Sequence, residues 1–492
     1  MNVNLKNNKT FLLIIIGIYI LTFIIISKNI NTPYLWYDEA GQFFISKGLN
    51  HDSNPMENEK GLIDVVKNNA FYNLDPGGFS ILLHFWTQIS NSHIWLRFLP
   101  FIFFVGILLS VIYLSYLWLK NLNIALLLGF IPILIPTFIR MGFELRAYSM
   151  EILGAMLGVV ALEKLKNKIS VKYLFLWGCV FSFFITSRYS EIVIIFVVSI
   201  YVLYFILILK LSLIQKITAV LSYSLPILIS LTYIYFFALV YQNKNIEQVA
   251  YLPYISNDIN ILFTPNDNLI YISFIAFLII LYFMKNRFTI IKKYQLLISL
   301  TISINVFFVF LSFIGKHPWC PFSNRCISFF SITLLCIIAF LGELIISNLK
   351  KYEFLKYFII PSLIFILFLK RNTLTIRQVQ NNTYYNFVKT DIKNFNRIYV
   401  DWWESPCIRY LFEYGKLKTT EKSDYPEKFT FGKYIRHGFY KGKISRDDFI
   451  KLHPKMNNLL EYDLLITPEL IDYGFSDKWK LIGGTTNFFI KR

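Results

Sequence analysis

The sequence predicts a polytopic α-helical membrane protein that ends in a small domain of mixed α and β structure. Hydrophobic residues make up 55% of the 492-residue chain and charged residues only 16%, whereas a soluble protein carries about a quarter charged residues. Apolar runs long enough to span a bilayer recur between positions 11 and 369. Residues 370–492 contain only short strand-like and helical patterns. The composition therefore excludes a soluble enzyme.

The net charge of +19 is of the kind that often indicates nucleic-acid binding. Many of the basic residues, however, lie in short loops between apolar runs, where such residues set membrane topology. We therefore expect no nucleic-acid partner. The five cysteines lack metal-ligand spacing: Cys179, Cys320, Cys326, Cys336 and Cys407.

The first apolar run, 11–27, follows a short basic start and has no small-residue cleavage site after it. We interpret it as an uncleaved first span with a cytoplasmic N-terminus. The next full-length run is 95–119, so residues 28–94 form the first extracytoplasmic loop. Within that loop, 77–89 is apolar but too short to cross, which favours a helix along the membrane interface.

The remaining runs bring the prediction to about eleven transmembrane helices. Lysine-rich connections such as 164–172 and 285–293 then all lie inside. They would lie outside if 77–89 crossed, against the positive-inside tendency. The remaining predicted spans are 124–139, 148–162, 173–186, 192–209, 217–241, 269–284, 294–314, 327–346 and 357–369.

An odd number of crossings places the C-terminal part of the chain outside the cell. The chain accordingly divides into a transmembrane domain, 1–369, and an extracytoplasmic domain, 370–492. Residues 397–401 and 462–467 have the apolar content of strands, and 406–414 has a helical pattern between them. We predict a small α/β domain from these patterns.

Charged residues next to membrane segments are functional candidates, because placing them there is unfavourable. Asp38 and Glu39 follow the first span closely. Adjacent carboxylates repel each other and can separate in pKa, so that one could act as a base on an acceptor hydroxyl. Alternatively, the two acids could simply begin a helix, where its dipole favours negative charge.

Three further outer loops carry charge. Arg146 could hold the phosphate of a lipid carrier, or Glu144 and Arg146 could pair with neighbours. For Arg188 and Glu191, in a tight turn between two spans, we favour a purely structural role. The loop 315–325 brings three cationic candidates to the same side as Asp38, and these could stabilise a departing phosphate: Lys316, His317 and Arg325. His317 has no partner at metal-ligand spacing.

Four segments together resemble the GT-C-fold glycosyltransferases that use polyprenyl-phosphate-linked sugars. The similar branch contains the protein O-mannosyltransferases and the aminoarabinose transferase of lipid A. The segment Glu144-Leu145-Arg146-Ala147-Tyr148 is similar to the family's Glu-x-Arg-x-Tyr motif. The other matching segments are 36–40 with the acidic pair, 73–86 with a proline turn and an aromatic-rich helix, and Arg97-Phe98-Leu99-Pro100. Arg325 lies where the family often has an Arg-Tyr pair.

The resemblance implies a GT-C fold and an inverting sugar transfer on the extracytoplasmic face of the plasma membrane. Asp38 would be the catalytic base and Glu39 would orient the acceptor or a nearby cation. The donor phosphate would be held by Arg146, Arg325 and Lys316, with Glu144, Tyr148, Arg97 and His317 in support. The implied partners are a polyprenyl-phosphate-linked sugar, a glycan, lipid or protein acceptor, and membrane lipid.

We predict no required metal or cofactor, because the sequence shows no ligand set, although a divalent metal is compatible with the resemblance. Neither the sugar nor the acceptor can be read from the sequence. The leading alternative is a polytopic transporter or flippase of an envelope lipid or glycan precursor. The clustering of charge on one face and the lack of an internal repeat tell against a transporter. A structural or assembly subunit is a third interpretation. A polysaccharide ligase or polymerase is a further alternative, and its chemistry is closer to that of the sugar transferase.

Overall fold

The computed structural model describes residues 3–27, 30–50, 53–73, 75–244, 287–314, 327–348, 390, 394–415, 417, 425, 427–432, 461–466, 479–481 and 488–491. The described part is mainly helical, with a small sheet near the C-terminus. The predicted spans 269–284 and 357–369 lie outside these residues, as does the boundary at position 370.

The first part of the chain forms one long helix and three short ones. The long helix is α1 (Val3–Ser27), which contains the predicted first span. Residues 28–94 then supply α2 (Tyr37–Ser46), α3 (Leu62–Tyr72) and α4 (Gly78–Thr87). The helix α4 covers most of the run 77–89. Its ten residues extend only about 15 Å at 1.5 Å per residue, so it is too short to cross a bilayer.

Most of the helices after residue 92 follow the apolar runs. Among the described residues, three helical segments are long and apolar enough to cross a membrane: His93–Leu119, Tyr189–Ile208 and Leu213–Gln242. Leu122–Leu134 and Thr137–Phe143 make a fourth if they count as one bent span. Shorter apolar helical segments occur at Ile15–Ser27, Val171–Phe184, Gln295–Leu311 and Phe330–Ile346.

Most of these helices agree with the predicted runs to within a few residues. The helices are α5 (His93–Leu119), α6 (Leu122–Leu128), α7 (Ile131–Leu134), α8 (Pro136–Phe143), α9 (Tyr148–Leu165), α10 (Val171–Phe184), α11 (Tyr189–Ile208), α12 (Leu213–Tyr233), a π-helical turn (Ile234–Leu239), α13 (Val240–Lys244), α14 (Arg287–Lys293), α15 (Gln295–Phe313) and α16 (Ile327–Asn348). The exceptions to this agreement are the segment 124–139 and α14, which lies in the lysine-rich connection 285–293.

The predicted span 124–139 is not one unbroken helix. The chain forms α6, α7 and α8 there, and the axis bends by 81° between the segments Leu122–Leu134 and Thr137–Phe143. Pro132 and Pro136 stand at the starts of α7 and α8. Proline removes a backbone donor and clashes with the preceding helical turn, so each proline favours the first turn of a new helix.

The helix α9 lies at the centre of the bundle, where it packs against α5, α8, α10, α11 and α16. Two of its glycines allow close approach of α11. A Cβ atom on Gly154 would lie 2.4 Å from Glu191 Oε1, and one on Gly158 would lie 3.0 Å from a methyl of Val198. The side chains that face this packing are buried, including Met150, Ile152 and Met156. The charged site described below is built on the first turn of α9.

The C-terminal region confirms the strand-like and helical patterns of the sequence. Strand β1 (Ile398–Val400) runs parallel to both β2 (Phe429–Phe431) and β3 (Leu464–Ile466). The strands β4 (Trp479–Leu481) and β5 (Phe488–Lys491) complete the sheet in the order β2-β1-β3-β5-β4, with antiparallel pairing of β5 to its neighbours. The helix α17 (Ser405–Glu413) follows β1.

This C-terminal sheet packs directly on the first loop through α17, and the two share one hydrophobic core with α2 and α4. Arg409 of α17 is fully buried and donates to the backbone carbonyls of Ser53, at 2.7 Å, and Asn54, at 3.1 Å. The Tyr410 hydroxyl donates to the Asn91 carbonyl at 2.9 Å. The C-terminal sheet and the Asp38-bearing helix α2 therefore form one packed unit.

We expect Arg409→Gln to loosen this packing, because it removes charge-assisted hydrogen bonds to the first loop and the guanidinium partner of buried Glu413, 2.9 Å away. Limited proteolysis should cleave the C-terminal region about tenfold faster or more, since each bond to a charged group contributes about 1.5–3 kcal/mol. Arg397→Gln is the matched control, because Arg397 makes an exposed pair with Glu461 at 3.9 Å. Equal cleavage of the two variants would contradict the prediction.

Candidate functional site

The two neighbouring acids at the start of α2, Asp38 and Glu39, have different surroundings. Glu39 is fully buried. Its carboxylate faces Arg97 of α5, with Nη2 2.9 Å from Oε2 and Nε 3.3 Å from Oε1. It also accepts from the backbone N–H of Leu145 at 3.0 Å and of Trp36 at 3.4 Å. The Arg97 guanidinium donates in addition to the carbonyls of Thr32 and Tyr34.

This network joins α2, α5 and the segment that leads into α9. Because Glu39 and Arg97 are both fully buried and each has several hydrogen-bond partners, the pair fixes the position of the chain around Asp38. The geometry gives Glu39 a positioning role. Its predicted part in the chemistry, like the supporting role of Arg97, stays a prediction.

Asp38 is half-buried and points away from this network, since successive residues of a helix lie about 100° apart around its axis. Within the described part of the chain its carboxylate accepts no hydrogen bond. Its clearest electrostatic partner there is Arg146. Asp38 is thus a carboxylate in the electrostatic field of a cation, and its acceptor capacity is still available, which a general base requires.

Arg146 lies in the short connection between α8 and α9, which follows the bend of the α6–α8 segment. Burial by itself disfavours its charge, but the carboxylates of Asp38 and Asp75 outweigh that effect and raise the pKa of Arg146 above its usual value. Its Nη2 lies 3.7 Å from Asp75 Oδ2. Its Nε is buried and has no hydrogen-bond partner in the described part of the chain. The guanidinium therefore keeps a buried donor for a ligand.

Asp75 lies in the turn between α3 and α4, and the backbone of this turn is held on several sides. The Asp75 carbonyl accepts from Asn69 Nδ2 at 2.9 Å and from Gln242 Nε2 at 3.2 Å. The N–H of Gly78 donates to the Thr186 carbonyl at 2.9 Å. Gly77 has φ +100°, a left-handed conformation that glycine adopts readily.

We expect Gly77→Ala to destabilise the protein by about 1–3 kcal/mol. The new Cβ would lie 2.8 Å from Asn69 Nδ2, and the backbone would be strained at this φ. Thermal unfolding in detergent measures the effect. Gly61→Ala is the control, because Gly61 has an ordinary φ of −81° and open space around it. A melting temperature that falls equally in both variants would contradict the interpretation.

Arg188, in the connection between α10 and α11, completes the cluster. Its Nε lies 3.4 Å from Asp75 Oδ1 and 3.6 Å from Glu151 Oε2. Its guanidinium carbon lies 4.5 Å above the ring of Tyr148, a cation–π contact. Glu151 also accepts a hydrogen bond from Ser190. The α10–α11 turn thus contributes directly to the charged cluster. The purely structural role that the sequence favours for Arg188 stays a prediction.

The structure therefore brings together Asp38, Arg146 and Tyr148 of the predicted site. Glu144 lies beside them and pairs with Arg140 at 3.8 Å. Lys316, His317 and Arg325 lie outside the described residues. Sequence reasoning missed Asp75, Glu151 and Arg188 as members. The available signal for Glu151 was spacing, since it lies one helical turn after Tyr148. For Arg188 it was position in a charged turn between two apolar runs.

Aromatic side chains of the C-terminal region pack on Tyr37, the residue before Asp38. Tyr37 stacks on Trp403 with ring centroids 4.3 Å apart, and Trp402 meets Tyr37 edge-on at 5.5 Å. The hydroxyl of Tyr34 donates to Glu404. Burial, together with nearby Cys407 and Glu404, raises the pKa of Tyr34. Within the described ranges, no group of three or more His, Cys, Asp or Glu side chains could hold a metal ion.

No protein-family model matches the chain, and no curated protein is detectably similar to it in sequence.

Proposed function

We propose that the chain is an integral-membrane glycosyltransferase. It moves a sugar from a polyprenyl-phosphate carrier to an acceptor hydroxyl on the extracytoplasmic face of the plasma membrane. We further propose a GT-C fold with about eleven transmembrane helices and an extracytoplasmic C-terminal domain. The observation that carries the proposal is the contrast between the two neighbouring acids: Glu39 is buried and bonded to Arg97, whereas Asp38 is half-buried and interacts electrostatically with Arg146.

In the proposed reaction, Asp38 accepts the proton of the acceptor hydroxyl while the hydroxyl oxygen attacks the anomeric carbon of the sugar. The bond between that carbon and the phosphate oxygen breaks, so the configuration inverts. The lipid phosphate leaves with its own charge and needs no proton donor. Arg146 donates to the departing phosphate, and its buried Nε supports this role because it is an unused donor.

The charge balance supports a need for further cations. Among the described residues around Asp75, three carboxylates (Asp38, Asp75 and Glu151) face the guanidinium groups of Arg146 and Arg188. A phosphate would add to this negative charge. We propose that Lys316 and Arg325 supply the missing positive charge, as the resemblance implies, with His317 in support.

The test is mass spectrometry of envelope glycans, lipids and glycoproteins from a deletion strain complemented with wild type, Asp38→Asn or Asp64→Asn. We expect one sugar to be missing in the deletion strain. Wild type and the control Asp64→Asn should restore it, and Asp38→Asn should fail to do so at equal protein level. Restoration by Asp38→Asn would refute the assignment of the base.

The second candidate is a transporter or flippase of an envelope lipid or glycan precursor. The 81° bend between Leu122–Leu134 and Thr137–Phe143 favours it, because broken helices form the substrate sites of many transporters. Purified protein in sealed vesicles separates the two candidates. Formation of a glycosylated product supports the transferase, whereas movement of the lipid across the bilayer without a new product supports the transporter.

A further inference from the structure

The Asp75 carboxylate lies between two guanidinium groups without a close hydrogen bond to either. Its oxygens are 3.7 Å from Arg146 Nη2 and 3.4 Å from Arg188 Nε. A good N–H···O bond measures about 2.7–3.2 Å, so the contacts are chiefly electrostatic. An anion held in this way is easier to replace than a bidentate partner.

Both arginines keep other anchors if the Asp75 side chain moves away. Arg188 remains 3.6 Å from Glu151 and stacked on Tyr148, while Arg146 remains in the field of Asp38. Arginine has five N–H donors in a planar fork. The two guanidinium groups can therefore bind a different anion at the position of the Asp75 carboxylate.

The Asp75 backbone, in contrast, is fixed by the bonds from Asn69 and Gln242 and by the neighbouring Gly78–Thr186 bond. Any replacement has to occur by rotation of the side chain alone. The carboxylate then stays close enough to return when the other anion leaves.

We propose that Arg146 and Arg188 form a two-arginine site for the phosphate of a lipid carrier, in which Asp75 is a resident anion that the incoming phosphate replaces. On release, the returning carboxylate competes with the phosphate product for the two guanidinium groups. The inference rests on the proposed function, because it takes the anion to be the carrier phosphate. It adds a phosphate-binding role for Arg188 and a competing role for Asp75.

The test measures binding to the purified full-length protein in detergent micelles by native mass spectrometry. The probes are undecaprenyl phosphate, undecaprenol as the same lipid without phosphate, and inorganic phosphate as a competitor. Wild type should bind undecaprenyl phosphate more tightly than undecaprenol, and inorganic phosphate should compete only weakly. Arg188→Gln should raise the Kd for undecaprenyl phosphate about 10- to 100-fold and leave the Kd for undecaprenol unchanged.

Asp75→Asn distinguishes competition from a merely structural role. Loss of a competing carboxylate should lower the Kd for undecaprenyl phosphate about two- to fivefold. If Asp75 served only to orient the arginines, the same change would raise that Kd. Arg140→Gln and Asp64→Asn are the matched controls, because neither residue contacts Asp75, and both should bind as wild type does. If Arg188→Gln lowers the melting temperature, Arg188→Lys replaces it and should give an intermediate Kd.

The outcomes separate the two levels of the proposal. Wild-type-like binding by the Arg188 variants, or weaker binding by Asp75→Asn, would overturn the inference and leave the phosphate donor standing. Equal binding of undecaprenyl phosphate and undecaprenol by wild type would overturn the proposed donor itself. Competition by inorganic phosphate at the affinity of the lipid would identify free phosphate as the ligand and overturn the carrier assignment.

Discussion

Asp38→Asn should lower the kcat of sugar transfer about 100- to 10,000-fold, the usual contribution of a positioned general base. The melting temperature should stay close to that of wild type, because in the described part of the chain the Asp38 carboxylate accepts no hydrogen bond that the substitution would break. The rate is measured on purified protein, with the donor and acceptor that the envelope analysis identifies.

The neighbouring acid is the control for this prediction. Glu39→Gln removes the charge that faces buried Arg97, so it should lower the melting temperature clearly. Asp38→Asn, in contrast, should cause a large loss of rate and little loss of stability. A variant Asp38→Asn that transfers sugar at the wild-type rate would remove Asp38 as the base.

Arg97→Met should lower the free energy of unfolding by about 3–5 kcal/mol, the usual effect of breaking a buried ion pair by removing one partner. Glu39 would be left fully buried without the guanidinium that faces it, and the carbonyls of Thr32 and Tyr34 would lose a donor. The free energy can be measured by unfolding in mixed micelles with increasing SDS.

The double variant Arg97→Met with Glu39→Gln tests the physical reason. If the charge left without its guanidinium causes the loss, the double variant should be less destabilised than the sum of the single variants, because a neutral amide remains. Arg140→Gln is the control arginine, since its side chain is partly exposed and lies 3.8 Å from Glu144. Additive losses would show that Arg97 acts mainly through its backbone contacts.

Apolar content was sufficient to predict most helices, because a membrane helix is specified by length and hydrophobicity. It did not predict the break within 124–139, where Pro132 and Pro136 divide an apolar run into α6, α7 and α8. The hydrophobicity of the run gives no sign of a bend. Its two prolines are the only sign in the sequence. The strands β1 (398–400) and β3 (464–466) were also predictable. Their parallel pairing with each other was not, because it depends on long-range contacts.

For the candidate site, the sequence indicated which loops carry charge but not which side chains meet. Asp38 and Glu39 are adjacent, and only the helical geometry of α2 shows that Glu39 turns inward to Arg97 while Asp38 does not. Arg188 is separated from Arg146 by two helices, so their shared contact with Asp75 depends on the packing of α9, α10 and α11. Such partnerships are a property of the tertiary structure.

The docking of α17 on α2 also makes membrane sidedness measurable with a single label. Arg409 and Tyr410 bind the first loop directly, and α17 shares a hydrophobic core with α2. The C-terminal sheet and Asp38 therefore lie at the same end of the helical bundle. Arg397 is two-thirds exposed in that sheet. A cysteine introduced there, probed with a membrane-impermeant maleimide on intact cells, would report which compartment Asp38 faces, whatever the number of crossings between them.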